Sequence, residues 1–363
     1  MDILKEITNK INEILQDEAL DKIAQEVGFV RRKRKVTAKK FLENSMLLEL
    51  SGTNSTLGDL SYEFYQSGCE ISKQALHKKM NGKAILFFQK LLEQLLKQPC
   101  GKEKINMEAI SFLNRIQVID SSEIKLHKKL RKIFPQVRGQ GAAVKLQALM
   151  AVSQESLLSL EICDSKAPDQ GYKDHATYIQ PGDLSIADLA YFCVETFQKI
   201  AINKGFYLSR YFKRARVYSE EDKPIDLRAV LGQTKENTVE LSVHLGASKF
   251  PCPCVAIRLT EEAYYKRLQH IQRERRKNPK YKRQDDLLDQ WTIFVTNLPA
   301  SLDGSILLQI YSLRWQIELL FKMMKTFFRL RKIEHSNQYS AQISLYISLI
   351  ATVLLCLVSM SIK

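Results

Sequence analysis

A series of short apolar segments between residues 115 and 210 constrains the fold of this chain more than any other feature. The segments that have the length and composition of strands are 115–120, 142–152, 156–163, 183–188 and 205–210. A helical pattern at 194–203 separates the last two of them. Strands that alternate with helices in one stretch of chain are typical of an α/β domain. The sequence therefore predicts an α/β fold with a mixed sheet flanked by helices.

The first hundred residues have a helical pattern instead. Residues 1–30 carry apolar side chains at helical spacing, and a basic run at 31–35 precedes Thr37, which has the chemistry of a helix cap. Residues 56–68 predict a short helix, and Ser72 caps the next one, as in a helix-turn-helix unit. The side chains that we expect to face a DNA groove are Lys73, Gln74, His77 and Lys78. The alternatives are an ordinary pair of packed helices and, for the basic run, a solvated face.

The stretch after residue 216 has a third pattern. Residues 239–244 and 255–259 alternate like the strands of a separate β unit, and residues 265–283 are dense in Lys and Arg. Residues 290–297 predict one more strand, which contains Trp291. The predicted domains are an N-terminal helical DNA-binding domain at 1–104, the first part of the α/β core at 105–216, a β-rich insertion with a basic segment at 217–300 and the C-terminal helices of the core at 301–363.

The overall charge indicates a polyanionic partner. The chain has 55 Lys and Arg against 40 Asp and Glu, a formal net charge of +15. Nucleic acid is the first expectation for such a balance, and a generally basic, solubilising surface is the alternative. Seven cysteines include only one close pair, Cys252 and Cys254, without a second pair that would complete a zinc site. We expect free thiols, as in a reducing cytoplasm.

An apolar segment at 341–362 is nearly long enough to span a bilayer. Five polar side chains interrupt it, namely Gln342, Ser344, Ser348, Thr352 and Ser359. These interruptions, and the lack of a second such segment, favour a buried core helix. The alternative is a membrane helix, which cell fractionation would detect.

Five functional side chains recur near the C-terminus at helical spacing. On one helix, Tyr311, Arg314, Glu318, Lys322 and Lys325 would lie within roughly a quarter turn of one another. Apolar residues occupy the opposite side, so that face would pack on a core. One carboxylate among cations and a phenol suits the binding of metal and phosphate, although mixed charges also occur on ordinary solvated helix faces.

Two predicted strands end in acids, Asp120 and Asp188. In an open α/β sheet, polar groups at strand ends lie over a crevice, although an Asp in that position often only caps the next turn. Together with Glu318, they would form a set of three carboxylates from separate elements. Such a set repels itself unless cations neutralise it. Two Mg²⁺ ions would do so and would also activate a water or a 3′-hydroxyl group.

These motifs resemble those of a known family. The pattern Tyr311-(2)-Arg314-(3)-Glu318-(6)-Lys325 is similar to the signature of bacterial DDE transposases of the insertion-sequence-four type. The residues around Asp120 and around Asp188 resemble the first and second catalytic motifs of that family. The resemblance implies an RNase H-like mixed sheet flanked by helices, with a β-rich insertion and an N-terminal all-α domain.

The same resemblance implies roles for individual residues. Asp120, Asp188 and Glu318 would bind two Mg²⁺ ions, for which Mn²⁺ can substitute. Tyr311, Arg314 and Lys325 would hold phosphates of the transposon end, and Lys322 joins them from its position on the helix. Trp291 would either stack on a flipped base or fill the core of a strand.

The implied activity is cut-and-paste transposition in the bacterial cytoplasm, on the nucleoid. The partners would be inverted-repeat DNA at the transposon ends, target DNA and a second copy of the chain in a synaptic dimer. No membrane partner is expected. One departure from the family pattern is Ala190, which stands where a glycine is usual. That departure and the end of the chain at Lys363 motivate one alternative, a decayed or truncated transposase that only binds DNA. A second alternative is a nuclease that cuts without joining, because hydrolysis and strand transfer use the same metals and differ only in the nucleophile.

Overall fold

The computed structural model describes residues 3–30, 36–51, 56–98, 108–137, 139–152, 156–277, 286–328 and 330–362. Its α-helices are α1 (Ile3–Ile14), α2 (Asp17–Glu26), α3 (Ala38–Ser51), α4 (Leu57–Gln66), α5 (Lys73–Lys79), α6 (Gly82–Leu96), α7 (Val194–Ile202), α8 (Leu227–Gln233), α9 (Glu261–Lys277), α10 (Gly304–Ser312), α11 (Trp315–Phe327) and α12 (Gln338–Ile362). Its strands are β1 (Arg115–Leu126), β2 (Ala142–Ala151), β3 (Ser156–Asp164), β4 (Asp183–Ala187), β5 (Phe206–Arg210), β6 (Val217–Tyr218), β7 (Thr238–Leu241), β8 (His244–Leu245), β9 (Phe250–Pro251), β10 (Cys254–Arg258), β11 (Trp291–Thr296) and β12 (Lys332–Ile333).

The chain divides into two compact units. The first unit comprises Met1–Glu103, Asp120–Ala167 and Gln316–Lys363, and the second comprises Lys104–Ile119 and Pro168–Trp315. Each unit combines distant parts of the chain, so the four domain ranges stay predictions. The basic run at 31–35 and the end of the predicted basic segment, at 278–283, lie outside the described residues.

The N-terminal part of the first unit is helical, as the sequence predicted. Five phenylalanine rings form its core, with centroids of neighbouring rings 5.1–6.1 Å apart, at Phe29, Phe41, Phe64, Phe87 and Phe88. One prediction was wrong in detail, because residues 1–30 form two helices. Leu15 turns inward and is 3% exposed, and Gln16 is extended. Asp17 and Glu18 then stabilise the start of α2, where the helix dipole favours acidic side chains.

The apolar helix α12 belongs to the core of the first unit. Gln338–Val358 is long and apolar enough to cross a membrane, and 72% of it is buried inside the protein. It packs on α3 and α6. Two of its hydroxyl groups are paired, since Ser344 Oγ donates to Glu49 Oε1 at 2.6 Å and Thr352 Oγ1 donates to the carbonyl of Ser348 at 2.9 Å. The hydroxyl of Ser348 is buried and has no hydrogen-bond partner among the described residues. The prediction of a buried core helix agrees with this packing.

Strands of the first unit form part of a mixed sheet in the order β3-β2-β1, with β12 also paired to β1. Strand β1 is longer than the sequence predicted. We expected it to end at Asp120, but it continues to Leu126. The extension is stabilised by parallel pairing of Lys125 with Lys332 and of Leu126 with Ile333. Asp120 therefore lies inside a strand rather than at its end.

The second unit contains strands in the order β1-β4-β5-β11-β10-β7. Strands β1, β4 and β5 are parallel, and β11, β10 and β7 extend them in antiparallel pairing. The insertion strands were expected to form a separate β unit, but β11 pairs directly with β5 and joins them to the sheet. Only β6, β8 and β9 form a separate three-stranded sheet among the described residues. The mixed sheet with flanking helices is the fold class that the sequence predicted.

Candidate active site

Helix α11 presents acidic and basic side chains opposite a buried stripe. Its buried residues are Ile317, Leu320, Phe321 and Met324, which recur at helical spacing and pack on the core. Glu318 and Lys325 lie half-buried on the other side, and Lys322 is exposed. Of the three residues that the sequence placed on one face, Lys322 is therefore fully accessible, and Glu318 and Lys325 lie at the border between the exposed and buried sides.

The helix containing Tyr311 is separate from α11, which corrects the prediction of one continuous helix. The amides of Leu313 and Arg314 donate to carbonyls three residues back, those of Ile310 and Tyr311, at 3.1 and 3.2 Å. This tight turn ends α10 at Ser312, and α11 begins at Trp315. Ile310 and Ile317 are each completely buried. Helical-wheel angles consequently hold for Glu318, Lys322 and Lys325 but not for Tyr311 and Arg314.

In the first unit, Lys325 lies within electrostatic range of Asp120. Burial lowers the pKa of Lys325, while the negative charges of Glu123 and Asp120 raise the same pKa and the positive charge of Arg331 lowers it. Glu123 is held in place, since Gln136 Nε2 donates to its Oε1 at 2.7 Å and Ser165 Oγ donates to its Oε2 at 3.2 Å. A carboxylate of β1 and a cation of α11 therefore share one electrostatic environment.

In the second unit, Asp188 immediately follows β4. Ile119 and Ala187 are the last paired residues of β1 and β4, and Asp120 and Asp188 are the residues that come next along the chain. Asp188 starts a 3-10 turn, in which the amide of Tyr191 donates to its carbonyl at 2.9 Å. The expectation of an acid at the end of this strand is confirmed by its position.

Ala190 lies exposed in the 3-10 turn that follows Asp188. A 3-10 turn is right-handed and requires no positive φ. Ala190 is not among the non-glycine residues that have a positive φ. Alanine is therefore accommodated without backbone strain. The departure from glycine gives no structural reason to regard the chain as decayed.

Tyr311 lies in a charged environment in the second unit. Burial raises its pKa to about 12, and the negative charge of Asp188 raises it too, while Arg210 and Arg314 lower it. Its ring contacts that of Phe294, with centroids 5.1 Å apart. The phenol therefore keeps its proton at neutral pH, and its buried hydroxyl lies in the electrostatic environment of Asp188 and two guanidinium groups.

Arg210 and Glu123 are residues that the sequence reasoning missed. Arg210 ends β5, which is parallel to β4, and Ala187 pairs with Ser209. The residues that follow this pair are Asp188 and Arg210, so their proximity results from strand register. Identifying β5 as the parallel neighbour of β4 would have found Arg210. No signal in the sequence distinguishes Glu123 from other acids on exposed strand positions.

Trp291 lies at the start of β11 and is 2% exposed. The guanidinium of Arg258 lies over its ring, 4.4 Å from the centroid. The ring also borders a cavity of about 320 Å³ that Leu189 and Arg210 line. Its burial favours the core alternative over a ring that is free to stack on a base.

Helix α5 has the Ser72 cap that the sequence predicted, and α4 has a cap that it did not predict. Thr56 and Asp59 form a capping box, and Ser72 Oγ accepts a hydrogen bond from the amide of Ala75 at 3.3 Å. Leu76 is completely buried and fixes one side of α5 on the core. The predicted DNA-facing residues are all exposed, namely Lys73, Gln74, His77 and Lys78.

The donor set suits a hard divalent cation. Asp120, Asp188 and Glu318 offer carboxylate oxygens, which Mg²⁺ prefers. Among the described residues, no three His, Cys, Asp or Glu side chains are grouped to hold a metal ion as they stand. The side-chain chemistry of these three residues therefore fits a divalent metal ion, but their arrangement does not form a metal site. Carboxylates that have no cation between them repel one another.

A family model for the transposase DDE domain matches residues 111–354, and the chain therefore belongs to this family of DNA transposases. The relatives are transposases of bacterial insertion sequences. The chain is 26% identical to the transposase of insertion sequence element IS231D from Bacillus thuringiensis subsp. finitimus, over 98% of this chain and 80% of that protein. It is 24% identical to the transposase of insertion sequence element IS1151 from Clostridium perfringens, over 97% of this chain and 80% of that protein.

A solved structure shares the fold. The chain is similar to the piggyBac transposase in a cryo-EM structure of its synaptic complex with hairpin DNA, with a TM-score of 0.53. The two are 9% identical, and the similarity covers 97% of this chain and 74% of that one. The expected family is confirmed by the sequence comparisons, and the expected fold class by this structural one.

Proposed function

We propose that this transposase cuts DNA at the ends of its own insertion sequence and joins the freed 3′-hydroxyl to target DNA. The observation that carries the proposal is the match of residues 111–354 to the transposase DDE domain, because that range contains Asp120, Asp188 and Glu318. The surroundings of the two aspartates support it: Asp120 shares its electrostatic environment with Lys325, and Asp188 shares its environment with Tyr311 and two arginines.

The proposed catalytic residues are Asp120, Asp188 and Glu318, which would hold two Mg²⁺ ions, or Mn²⁺ in their place. When bound, such ions lower the pKa of a water ligand and neutralise charge on a leaving oxygen. Arg314 and Lys325 bind phosphate oxygens of the end, and Lys322 binds the next phosphate outward because it is the exposed cation of α11. The protonated phenol of Tyr311 donates a hydrogen bond to the same backbone.

The proposed partners are the terminal inverted repeats and the target DNA. Exposed Lys73, Gln74, His77 and Lys78 of α5 read the repeat, in the manner of a second helix of a helix-turn-helix unit. Two ends must be held together for the element to move as one piece, so we propose that a homodimer forms the synaptic complex. The enzyme would work on nucleoid DNA in the bacterial cytoplasm.

A cleavage assay with Glu318→Gln tests the catalytic assignment. Gln keeps the size of the side chain but removes the charge that would hold a cation. We expect Mg²⁺-dependent nicking at the flanking inverted repeats to fall by at least about a thousandfold, since the loss of one essential catalytic group commonly costs that much. Binding to the same DNA without metal should remain close to that of the wild type.

Glu334→Gln is the matched control, because Glu334 is exposed and its carboxylate pairs with Lys332 on the surface. It should cleave at the wild-type rate. Cleavage by Glu318→Gln at the wild-type rate would show that the site is assigned to the wrong acid. Binding without cleavage by the wild-type protein would instead identify a transposase that only occupies DNA.

A further inference from the structure

Helix α9, in the second unit, is anchored firmly on one side. Arg267 donates to the carbonyls of Asp289 and Trp291 at 3.1 and 2.6 Å, and to Thr292 Oγ1 at 2.9 Å. Ile271, one turn further along the same side, is 4% exposed. The helix is therefore held against β11 through these two residues, and its opposite face has a fixed direction.

The opposite face forms an exposed stripe, which we define as Tyr265, Gln269, Gln272, Arg273 and Arg276. With Tyr265 at zero, helix geometry places the other members between about −20° and +80°. All five side chains are exposed. The stripe extends over eleven residue steps, which corresponds to roughly 16 Å along the helix axis.

The two arginines of this stripe differ from the lysines of the same helix. Lys266 pairs with Glu262 at 2.5 Å and Lys277 pairs with Glu274 at 2.9 Å. Neither Arg273 nor Arg276 forms an ion pair with any residue that the structure describes. Two guanidinium groups with unneutralised charge therefore lie one turn apart on a rigid support.

The chemistry of the stripe fits duplex DNA better than other anionic partners. Arginine binds phosphate or guanine in a bidentate manner, and the amide of glutamine pairs with the edge of adenine. The major groove, about 12 Å wide, admits one α-helix. A helix that lies on a membrane surface needs a broad apolar face, and Tyr265 is the one ring on this stripe.

We propose that the α9 stripe binds in the major groove of duplex DNA, as a second DNA contact in addition to α5. Arg273 and Arg276 contact phosphates on the groove edges, and Gln269 and Gln272 face the bases. The proposal rests on the DNA-binding part of the proposed function. It assigns a binding role to the insertion that is separate from the chemistry of the three acids.

Equilibrium binding of the full chain in EDTA tests this role without cleavage. One duplex carries the terminal inverted repeat of the element, and another of equal length has an unrelated sequence. For the Arg273→Ala/Arg276→Ala variant, we expect the slope of log affinity against log salt concentration to become shallower by about two, because each phosphate contact contributes about 0.9. The matched control is Lys223→Ala/Lys249→Ala, which removes the same charge from lysines that are paired with acids in the same unit.

The two duplexes distinguish the sources of DNA. A loss confined to the repeat would assign the α9 stripe to the transposon end, and an equal loss on both would assign it to any duplex, including the target. A photo-crosslinking residue placed at Gln269 should crosslink to DNA, whereas one at Lys223 should not. This second readout does not depend on the stability of the arginine variant.

Wild-type affinity and salt slope in the Arg273→Ala/Arg276→Ala variant would overturn the proposal, provided that Lys73→Ala/Lys78→Ala weakens binding. If the Arg273→Ala/Arg276→Ala variant loses binding to anionic phospholipid vesicles but keeps its DNA binding, that result would also overturn the proposal. If the wild-type chain binds neither duplex, the proposed function itself fails, and that result is distinct from a failure at α9 alone.

Discussion

At the scale of single residues, uncharged side chains hold the turn that follows Asp188. His175 is 2% exposed, and its Nδ1 lies 2.8 Å from the carbonyl of Tyr172, which identifies Nδ1 as the protonated nitrogen. Its ring meets that of Tyr191 edge-on, with centroids 6.2 Å apart. Gln170 Nε2 donates to the carbonyl of Phe192 at 2.8 Å. These contacts hold the 3-10 turn after Asp188 against a buried imidazole that carries no charge.

His175 should make stability depend on pH. Burial lowers its pKa from 6.5 to about 4. As the pH falls below about 6.5, His175 takes up a proton in the unfolded chain but not in the folded chain. The stability that is present above that pH is therefore lost as the pH falls toward 4. We expect a loss of about 2 kcal/mol in the free energy of unfolding between pH 7.5 and pH 5.

Denaturant unfolding at a series of pH values measures this loss. His175→Gln, which can still donate to the carbonyl of Tyr172, should flatten the curve between pH 5 and 6.5. The exposed residue His77 provides the control, because His77→Gln should leave the curve as it is. An unchanged pH dependence in His175→Gln would show that other groups cause it.

At the scale of elements, capping helps to position the residues that we propose to contact DNA. Helix α5 has only seven residues, which is too short to be stable without capping and tertiary contacts. Ser72 at its N-terminus and Leu76 beneath it supply these interactions. Tertiary contacts also accompany the break between α10 and α11, since Ile310 before it and Ile317 after it are each completely buried.

Ser72→Ala should loosen α5. Losing an N-cap costs about 1 kcal/mol, which corresponds to roughly a fivefold rise in local opening. Hydrogen exchange of the α5 amides should accelerate by that factor, and exchange in α6 should not. Ser72→Asn, which can also cap, should restore protection. Equal exchange in Ser72→Ala and wild type would show that Leu76 alone fixes the helix.

At the scale of the whole molecule, α12 shows how a hydropathic segment is used in the core. Its side chains are buried on nearly every side, yet Leu355 is 46% exposed while Ile350 is completely buried. A helix that is apolar all round and covered by protein is a central core helix. By length and composition alone, the same segment would be predicted to span a membrane.

Ile350→Ala should therefore destabilise the protein by about 2–5 kcal/mol, because it leaves a cavity in a packed core. Leu355→Ala, in the same helix, should change stability by less than about 0.5 kcal/mol. Denaturant midpoints of the two variants provide the comparison. If the wild-type chain fractionates with membranes and the two variants are equally stable, α12 is a membrane helix instead.

The sequence determined the elements whose signals are local. Strands β2 to β5, helices α4 and α5 with the Ser72 cap, and the apolar helix near the C-terminus all followed from periodicity and turn chemistry. The fold class followed from their order, and the family from the spacing of Tyr311, Arg314, Glu318 and Lys325. These features depend on neighbouring residues, so one chain read in order contains them.

Tertiary structure decided what depends on partners distant in sequence. Strand β1 continues past Asp120 beside β2 and pairs with β12 at Lys125 and Leu126, and the insertion strands join the main sheet because β11 pairs with β5. Arg210 is close to Asp188 only through the register of β4 and β5. Hydrogen bonding between strands and burial against remote side chains have no period along the chain, which is why the sequence alone could not determine these arrangements.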